Sequence, residues 1–205
     1  MRLRNNKNAK SILEESKYVV KNPESNKGKW SKNFGNKNPI EIEIGCGKGN
    51  FIIENALTYP DKNFIGIEMY DTVLMYAVNK IEKDIPNLRF IRMDARLLDE
   101  VFDKEIDLIY LNFSDPWPKD RHEKRRLTHK HFLDIYDSIL KNKLIIQKTD
   151  NRKLFEYSIC SLVDYGYKIE KISLDLHKDS QDIITTEYEE KFMKIGPIYM
   201  AIYKK

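Results

Sequence analysis

The sequence predicts an α/β fold, a mostly parallel sheet with helices on both faces. Three observations carry this. Strand-like and helical runs alternate five times from residue 40 to residue 165, and strands dominate after that. Such alternation favours parallel strands joined by crossover helices. The first strand run ends in a glycine-rich turn that opens a helix. Finally, 205 residues suit one domain, large enough to bury roughly 70% of its unfolded surface.

The elements follow in order. Residues 1–38 are rich in Asn, Lys and Ser with little apolar periodicity. They read as a basic N-terminal arm, mobile or loosely docked, ahead of a domain spanning 39–205. Ile40–Ile44 is a short strand and Asn50–Thr58 a helix. Phe64–Glu68 is the second strand. Over Asp71–Lys83, Val73, Leu74, Ala77, Val78 and Ile81 fall at helical spacing. Leu88–Met93 and the apolar Ile106–Phe113 are strands three and four. His129–Leu140 reads as a helix, Leu144–Lys148 as a strand and Arg152–Tyr165 as a helix. Tyr167–Leu174 and Pro197–Tyr203 complete seven strands. Glu41 strains this pattern, because a polar residue inside a central strand needs a partner.

Composition excludes several classes. Two cysteines, Cys46 and Cys160, with four scattered histidines give no disulfide framework and no metal site. No run approaches the roughly 18 apolar residues of a membrane span, and the N-terminus lacks the apolar stretch of a secretory signal. A cytoplasmic protein is expected. The net charge of +4 is unevenly spread. Residues 1–38 carry +7 and residues 119–131 carry +4, which leaves −7 on the rest. An acidic body with two basic segments suits a polyanionic partner, nucleic acid before membrane.

In such sheets ligands sit beyond the carboxyl ends of the strands. Glu43-Ile-Gly45-Cys-Gly47-Lys-Gly49 closes the first strand there. The dinucleotide fingerprint is G-x-G-x-x-G, but here the third glycine comes one residue early. A carboxylate two places before the first glycine is a poor neighbour for pyrophosphate and a good one for the ammonium of an amino acid. The pattern resembles motif I of the class I S-adenosylmethionine-dependent methyltransferases. Glu68 ends the second strand, where an acid can accept hydrogen bonds from ribose hydroxyls. Asp94 ends the third. In methyltransferases that position reaches the adenine amino group; as a local feature it is equally a helix cap.

After the fourth strand come Asp115-Pro116-Trp117-Pro118-Lys119. The prolines stiffen the loop and disfavour helix at Asp115. Trp117 either packs the loop or stacks on a base. Neither cysteine lies here, which argues against methylation through a covalent pyrimidine adduct. NFSDPWPK followed by RHEKRRL resembles the bacterial tRNA (guanine-N7)-methyltransferases. So do MRLRN, GKWSKNFGN, KTDNRKLFEYS, LDLH and TEYEEKF, and the likeness spans essentially the whole chain. Cys46 stands where the family often has a small residue such as Ser. The loop before Thr186 is shorter than usual.

This resemblance implies a Rossmann-like class I methyltransferase fold, with a mostly parallel seven-stranded sheet and an antiparallel last strand. It implies S-adenosylmethionine as donor and a guanine in the tRNA variable loop as acceptor. Cofactor positions fall on Glu43, Gly45, Gly47, Gly49, Glu68, Asp94 and Asp115, and Asp115 also falls on the catalytic position. tRNA-contact positions fall on Lys119, Asp150, Thr186, Glu187, Tyr188 and Glu189. Arg121, Lys124, Arg125 and Arg126 suit phosphate contact, and His122 can join them. No role falls to His129, His131 or His177. Asp150 also reads as an N-cap of the following helix, and Thr186–Glu189 as a capping motif. Competing readings are a class I methyltransferase with another RNA, protein or small-molecule substrate, a nucleotide-dependent oxidoreductase, and a non-catalytic RNA-binding module.

Overall fold

A computed structural model describes residues 6–181 and 183–205. The opening MRLRN segment thus lies outside the described residues. The helices are α1 (Ala9–Glu15), α2 (Trp30–Phe34), α3 (Asn50–Thr58), α4 (Asp71–Asn79), α5 (Leu98–Val101), α6 (Lys130–Ile139), α7 (Arg152–Asp164), α8 (Leu176–Asp179) and α9 (Glu187–Phe192). The strands are β1 (Ile40–Ile44), β2 (Asn63–Glu68), β3 (Leu88–Arg92), β4 (Ile106–Asn112), β5 (Leu140–Thr149), β6 (Lys168–Ser173) and β7 (Tyr199–Lys204).

One seven-stranded sheet has the order β3-β2-β1-β4-β5-β7-β6. β1 to β5 pair in parallel, and β7 inserts antiparallel between β5 and β6. This is the predicted architecture. Strand parity divides the core. Ile40, Ile42, Ile44, Ile65, Ile67 and Ile91 face α2, α5, α6 and α7. Phe64, Leu88 and Phe90 pack with α1, α3 and α4. Burial on both faces is why these strands read as nearly unbroken apolar runs.

Two elements differ in length from expectation. α4 stops at Asn79, four residues early, although Ile81 still packs on the core. β5 begins at Leu140 rather than Leu144. The polar Lys141-Asn142-Lys143, which lies between the expected helix and strand, forms a bulge, with the register against β4 shifting and Lys143 at φ 48°.

The expectation of a mobile or loosely docked arm is corrected over residues 6–38. Trp30 is 0% exposed and donates its indole N–H to Val101 O at 3.0 Å. Ala9 and Leu13 pack with α4. Val19 forms a bridge to Phe90 on the β3 edge, with Val20 N donating to Phe90 O at 2.9 Å and Phe90 N to Tyr18 O at 2.7 Å. The anchors are a few apolar residues, irregularly spaced among Asn and Lys, so they give no periodic signal.

Glu41 also finds its partners. Its carboxylate accepts from Lys62 Nζ at 2.8 Å and Tyr110 Oη at 2.7 Å. A buried charge paired in this way avoids most of its desolvation cost.

Candidate active site

The carboxyl ends of β1 to β4 open on one cleft of about 780 Å³. Gly45, Glu68, Asp94, Asp115, Trp117 and Arg125 all line it. Residues from four separate strand ends therefore meet, as the sequence predicts.

The three glycines of the first turn do different work. Gly45 (φ 76°), Gly47 (φ 58°) and Gly49 (φ 77°) all occupy the left-handed region. A Cβ on Gly45 or Gly47 would meet nothing within 4 Å, whereas one on Gly49 would lie 2.7 Å from the Ala77 Cβ. Gly49 thus lets α3 pack against α4. Gly45 and Gly47 leave bare backbone that a ligand can approach.

Glu43 is 1% exposed and accepts from Asn112 Nδ2 at 2.8 Å. Burial pushes its carboxyl up to about 7, against the opposing pull of Asn112 and Lys148. Glu43 Oε2 and Asn112 Oδ1 are buried acceptors with no hydrogen-bond partner among the described residues. Two such acceptors beside an open glycine turn fit a donor such as an ammonium. Glu68 accepts from Gly47 N at 3.2 Å and Tyr70 N at 3.0 Å. That uses two of the roughly four acceptor sites of a carboxylate and leaves capacity for hydroxyls. Burial raises the Glu68 carboxyl above its ordinary range, while those backbone amides oppose the rise. The residues present therefore fit the donor that the sequence implies.

Asp94 takes the local role, a cap, at a position that also faces the cleft. It caps the short 3₁₀ turn Ala95–Leu97 by accepting from Arg96 N at 2.9 Å, and it lines the cleft. The Arg96 guanidinium also clasps it, with Nη2 2.7 Å from Oδ2, and this holds the Asp94 carboxyl below its usual range.

Asp115 is exposed at the cleft. Phe113 (φ 51°) and Trp117 (φ 41°) flank it in left-handed conformations, which cost non-glycine residues about 1–2 kcal/mol each. The basic 3₁₀ turn Asp120–Arg125 and the residue after it hold this loop. Arg126 donates to Trp117 O through Nε at 3.3 Å and Nη2 at 3.1 Å, and lies 4.3 Å over the Tyr157 ring. Arg125 stacks 4.8 Å over the Trp117 indole. Trp117 thus packs the loop and lines the cleft at once. Arg126, expected at phosphate, has its guanidinium engaged within the protein. Lys119, Arg121, Lys124 and Arg125 are exposed.

α9 lies against the glycine turn and the Asp115 loop. Thr186 and Glu189 form a reciprocal capping box. Glu187 pairs with Lys48 of the glycine turn at 3.2 Å and with Lys80. Tyr188 donates to Asp150 Oδ2 at 3.2 Å and lies 5.1 Å from the Phe113 ring. Asn151, not Asp150, caps α7, so Asp150 is left to face Tyr188. The expectation that Glu189 meets tRNA is corrected for this conformation. Glu189 is fully buried, bonded to Lys148 Nζ at 2.7 Å and His177 Nε2 at 3.0 Å.

Asn112, Lys148, His177 and Arg96 were not among the expected site residues. Asn112 had one available signal, a polar residue closing a mostly apolar strand.

Comparison with known proteins gives first the class and then the family. A family model described as "Putative methyltransferase" matches residues 37–201. Curated relatives named tRNA (guanine-N(7)-)-methyltransferase match along the chain. The protein of Lactococcus lactis subsp. cremoris (strain MG1363) is 50% identical over 100% of this chain and 98% of its own. That of Streptococcus suis (strain 05ZYH33) is 51% identical over 98% of each. That of Listeria monocytogenes serotype 4a (strain HCC23) is 54% identical over 97% of this chain and 96% of its own. The chain belongs to the tRNA (guanine-N(7)-)-methyltransferase family. Among solved structures, the 16S rRNA methyltransferase KamB superposes with TM-score 0.65 at 9% identity, covering 86% of this chain and 92% of that one. An antibiotic-related methyltransferase superposes with TM-score 0.63 at 19% identity over the same shares. At those identities the likeness concerns the fold alone.

Proposed function

We propose that this protein transfers a methyl group from S-adenosylmethionine to N7 of a guanine in the variable loop of tRNA. One observation carries the reading beyond the family name. A single cleft joins the acid-ended strands β2 and β3 to Asp115 and Trp117, beside the exposed cations Lys124 and Arg125. The ribose and adenine end of a donor site and a polyanion-facing wall would then share one cavity.

S-adenosylmethionine supplies an electrophilic sulfonium methyl when bound. Glu43 and Asn112 would hold its ammonium, Glu68 its ribose hydroxyls and Asp94 its adenine, with Arg96 sharing or releasing the Asp94 carboxylate. Guanine N7 has a free lone pair and no proton, so no base is required at the nucleophile. The protein's work is then in-line positioning, where proximity contributes on the order of 7–11 kcal/mol. Methylation leaves positive charge on the purine, and the Asp115 carboxylate would stabilise it. Asp115 would also accept from guanine N1–H and N2–H and so select guanine over adenine. Asp150 and Tyr188 would meet the unstacked nucleotide.

The test is transfer of labelled methyl to unmodified tRNA, mapped by borohydride–aniline cleavage at 7-methylguanine. A single cut in the variable loop is expected. Asp115→Ala should lower kcat by about 100-fold or more while cofactor affinity changes little. Cofactor binding without transfer to tRNA would overturn the substrate assignment.

A further inference from the structure

We infer that Lys148 and His177 are positioning residues, which act through buried Glu189 to seat α9 across the proposed active site. This rests on the tRNA-methylating reading of that site. Side-chain exposure is 5% for Lys148 and 0% for Glu189. Lys148 Nζ donates to Glu189 Oε2 at 2.7 Å and to Ile184 O at 3.0 Å. The same ammonium thus holds both α9 and the strand of chain that leads into it. His177, at the start of α8, takes the other Glu189 oxygen at 3.0 Å. The capping box ties the same carboxylate to the helix start, with Thr186 N 3.3 Å from Glu189 Oε2.

What α9 touches gives this anchor its purpose. Its first two residues reach three separate parts of the site. Glu187 meets Lys48 in the glycine turn, and Tyr188 meets both Phe113 beside the Asp115 loop and Asp150 after β5. A six-residue helix is too short to hold itself together in water. Its placement must come from tertiary contacts, and the deepest of these is the Lys148–Glu189 pair. Lys148 also sits opposite Asn112 in the β4–β5 register, and Asn112 bonds Glu43. The anchor is therefore built on the strand ends that carry the donor site.

The test uses a double-mutant cycle on the full chain. Lys148→Met alone leaves Glu189 buried and unpaired, and that variant can fail to fold. The double variant Lys148→Met/Glu189→Gln removes both charges together, and Gln at the third helical position retains the capping box. The first readout needs no tRNA. Amide exchange across residues 186–192 should accelerate about tenfold or more in the double variant and in His177→Ala, while β1 to β5 stay protected. The second readout is kinetic. kcat/KM for tRNA should fall about 10- to 100-fold with cofactor affinity within about threefold. The double variant should be no worse than Glu189→Gln, because the two residues act as one unit. Unchanged exchange in α9, or wild-type kcat/KM in the double variant, would overturn the inference. Additive losses would do so too, since they would mean that Glu189 meets the RNA independently of Lys148. If the wild type methylates no tRNA, the functional reading fails, and the exchange result still decides the anchor.

Discussion

Asn112 Nδ2 lies 2.8 Å from Glu43 Oε1, joining the ends of β4 and β1 beneath the glycine turn. Each partner keeps one buried oxygen without a hydrogen bond among the described residues. The pair is half-satisfied by the protein itself, and the remaining half is where a ligand's donors would enter.

Glu43 makes stability depend on pH in a stated direction. Burial raises its carboxyl from 4.5 to about 7 in the folded chain. The folded state therefore holds a proton that the unfolded state has lost between those pH values. Stability from this group is full below about pH 4.5 and falls as pH rises to about 7, by about 3 kcal/mol in total. Glu43→Gln should abolish that component. Thermal unfolding of both proteins from pH 4.5 to 8 checks it, and parallel curves would refute the assignment.

The glycines should separate under substitution. Gly49→Ala adds a Cβ 2.7 Å from Ala77 at φ 77°, and overpacking with left-handed strain should cost about 2–4 kcal/mol. Gly45→Ala meets open space and should cost only about 1–2 kcal/mol of strain. Its larger effect should be on cofactor affinity. Urea denaturation and calorimetric titration with S-adenosylhomocysteine distinguish the two.

Arg126 should be irreplaceable by lysine. Its guanidinium makes two bonds to Trp117 O and lies over Tyr157, geometry that an ammonium cannot copy. Arg126→Lys and Arg126→Ala should both lower kcat/KM about tenfold or more. Full activity in Arg126→Lys would show that the Asp115 loop keeps its shape unaided.

Lys119 and Arg121 are exposed and should act by charge alone. Substituting either by Gln should lower the slope of log affinity for tRNA against log salt by about 0.7–0.9. Binding measured at four salt concentrations suffices. An unaltered slope would place these side chains away from phosphate.

The alternating strands, the glycine turn and the acids at strand ends were legible because each follows a local rule of spacing. Trp30 was not, since a single buried indole in a polar stretch has no period. Glu41 was not, because Lys62 and Tyr110 lie 21 and 69 residues away. Thr186 and Glu189 carried two readings at once. The capping box is fixed by their spacing, whereas the burial of Glu189 depends on Lys148, 41 residues earlier. Local chemistry could be read from the sequence; long-range electrostatic partners could not.

The bridge between Val19 and Phe90 also sets an order of events during synthesis. Phe90 follows Val19 by 71 residues, which at 5–20 residues per second is a delay of about 4–14 s. Throughout that interval the segment around Val19 has no strand to join, and Trp30 waits similarly for Val101. The early part of the nascent chain is thus a set of unsheltered aromatic and branched residues in a highly charged surround. Its ten cations keep such chains apart by repulsion until the sheet edge they cover has emerged.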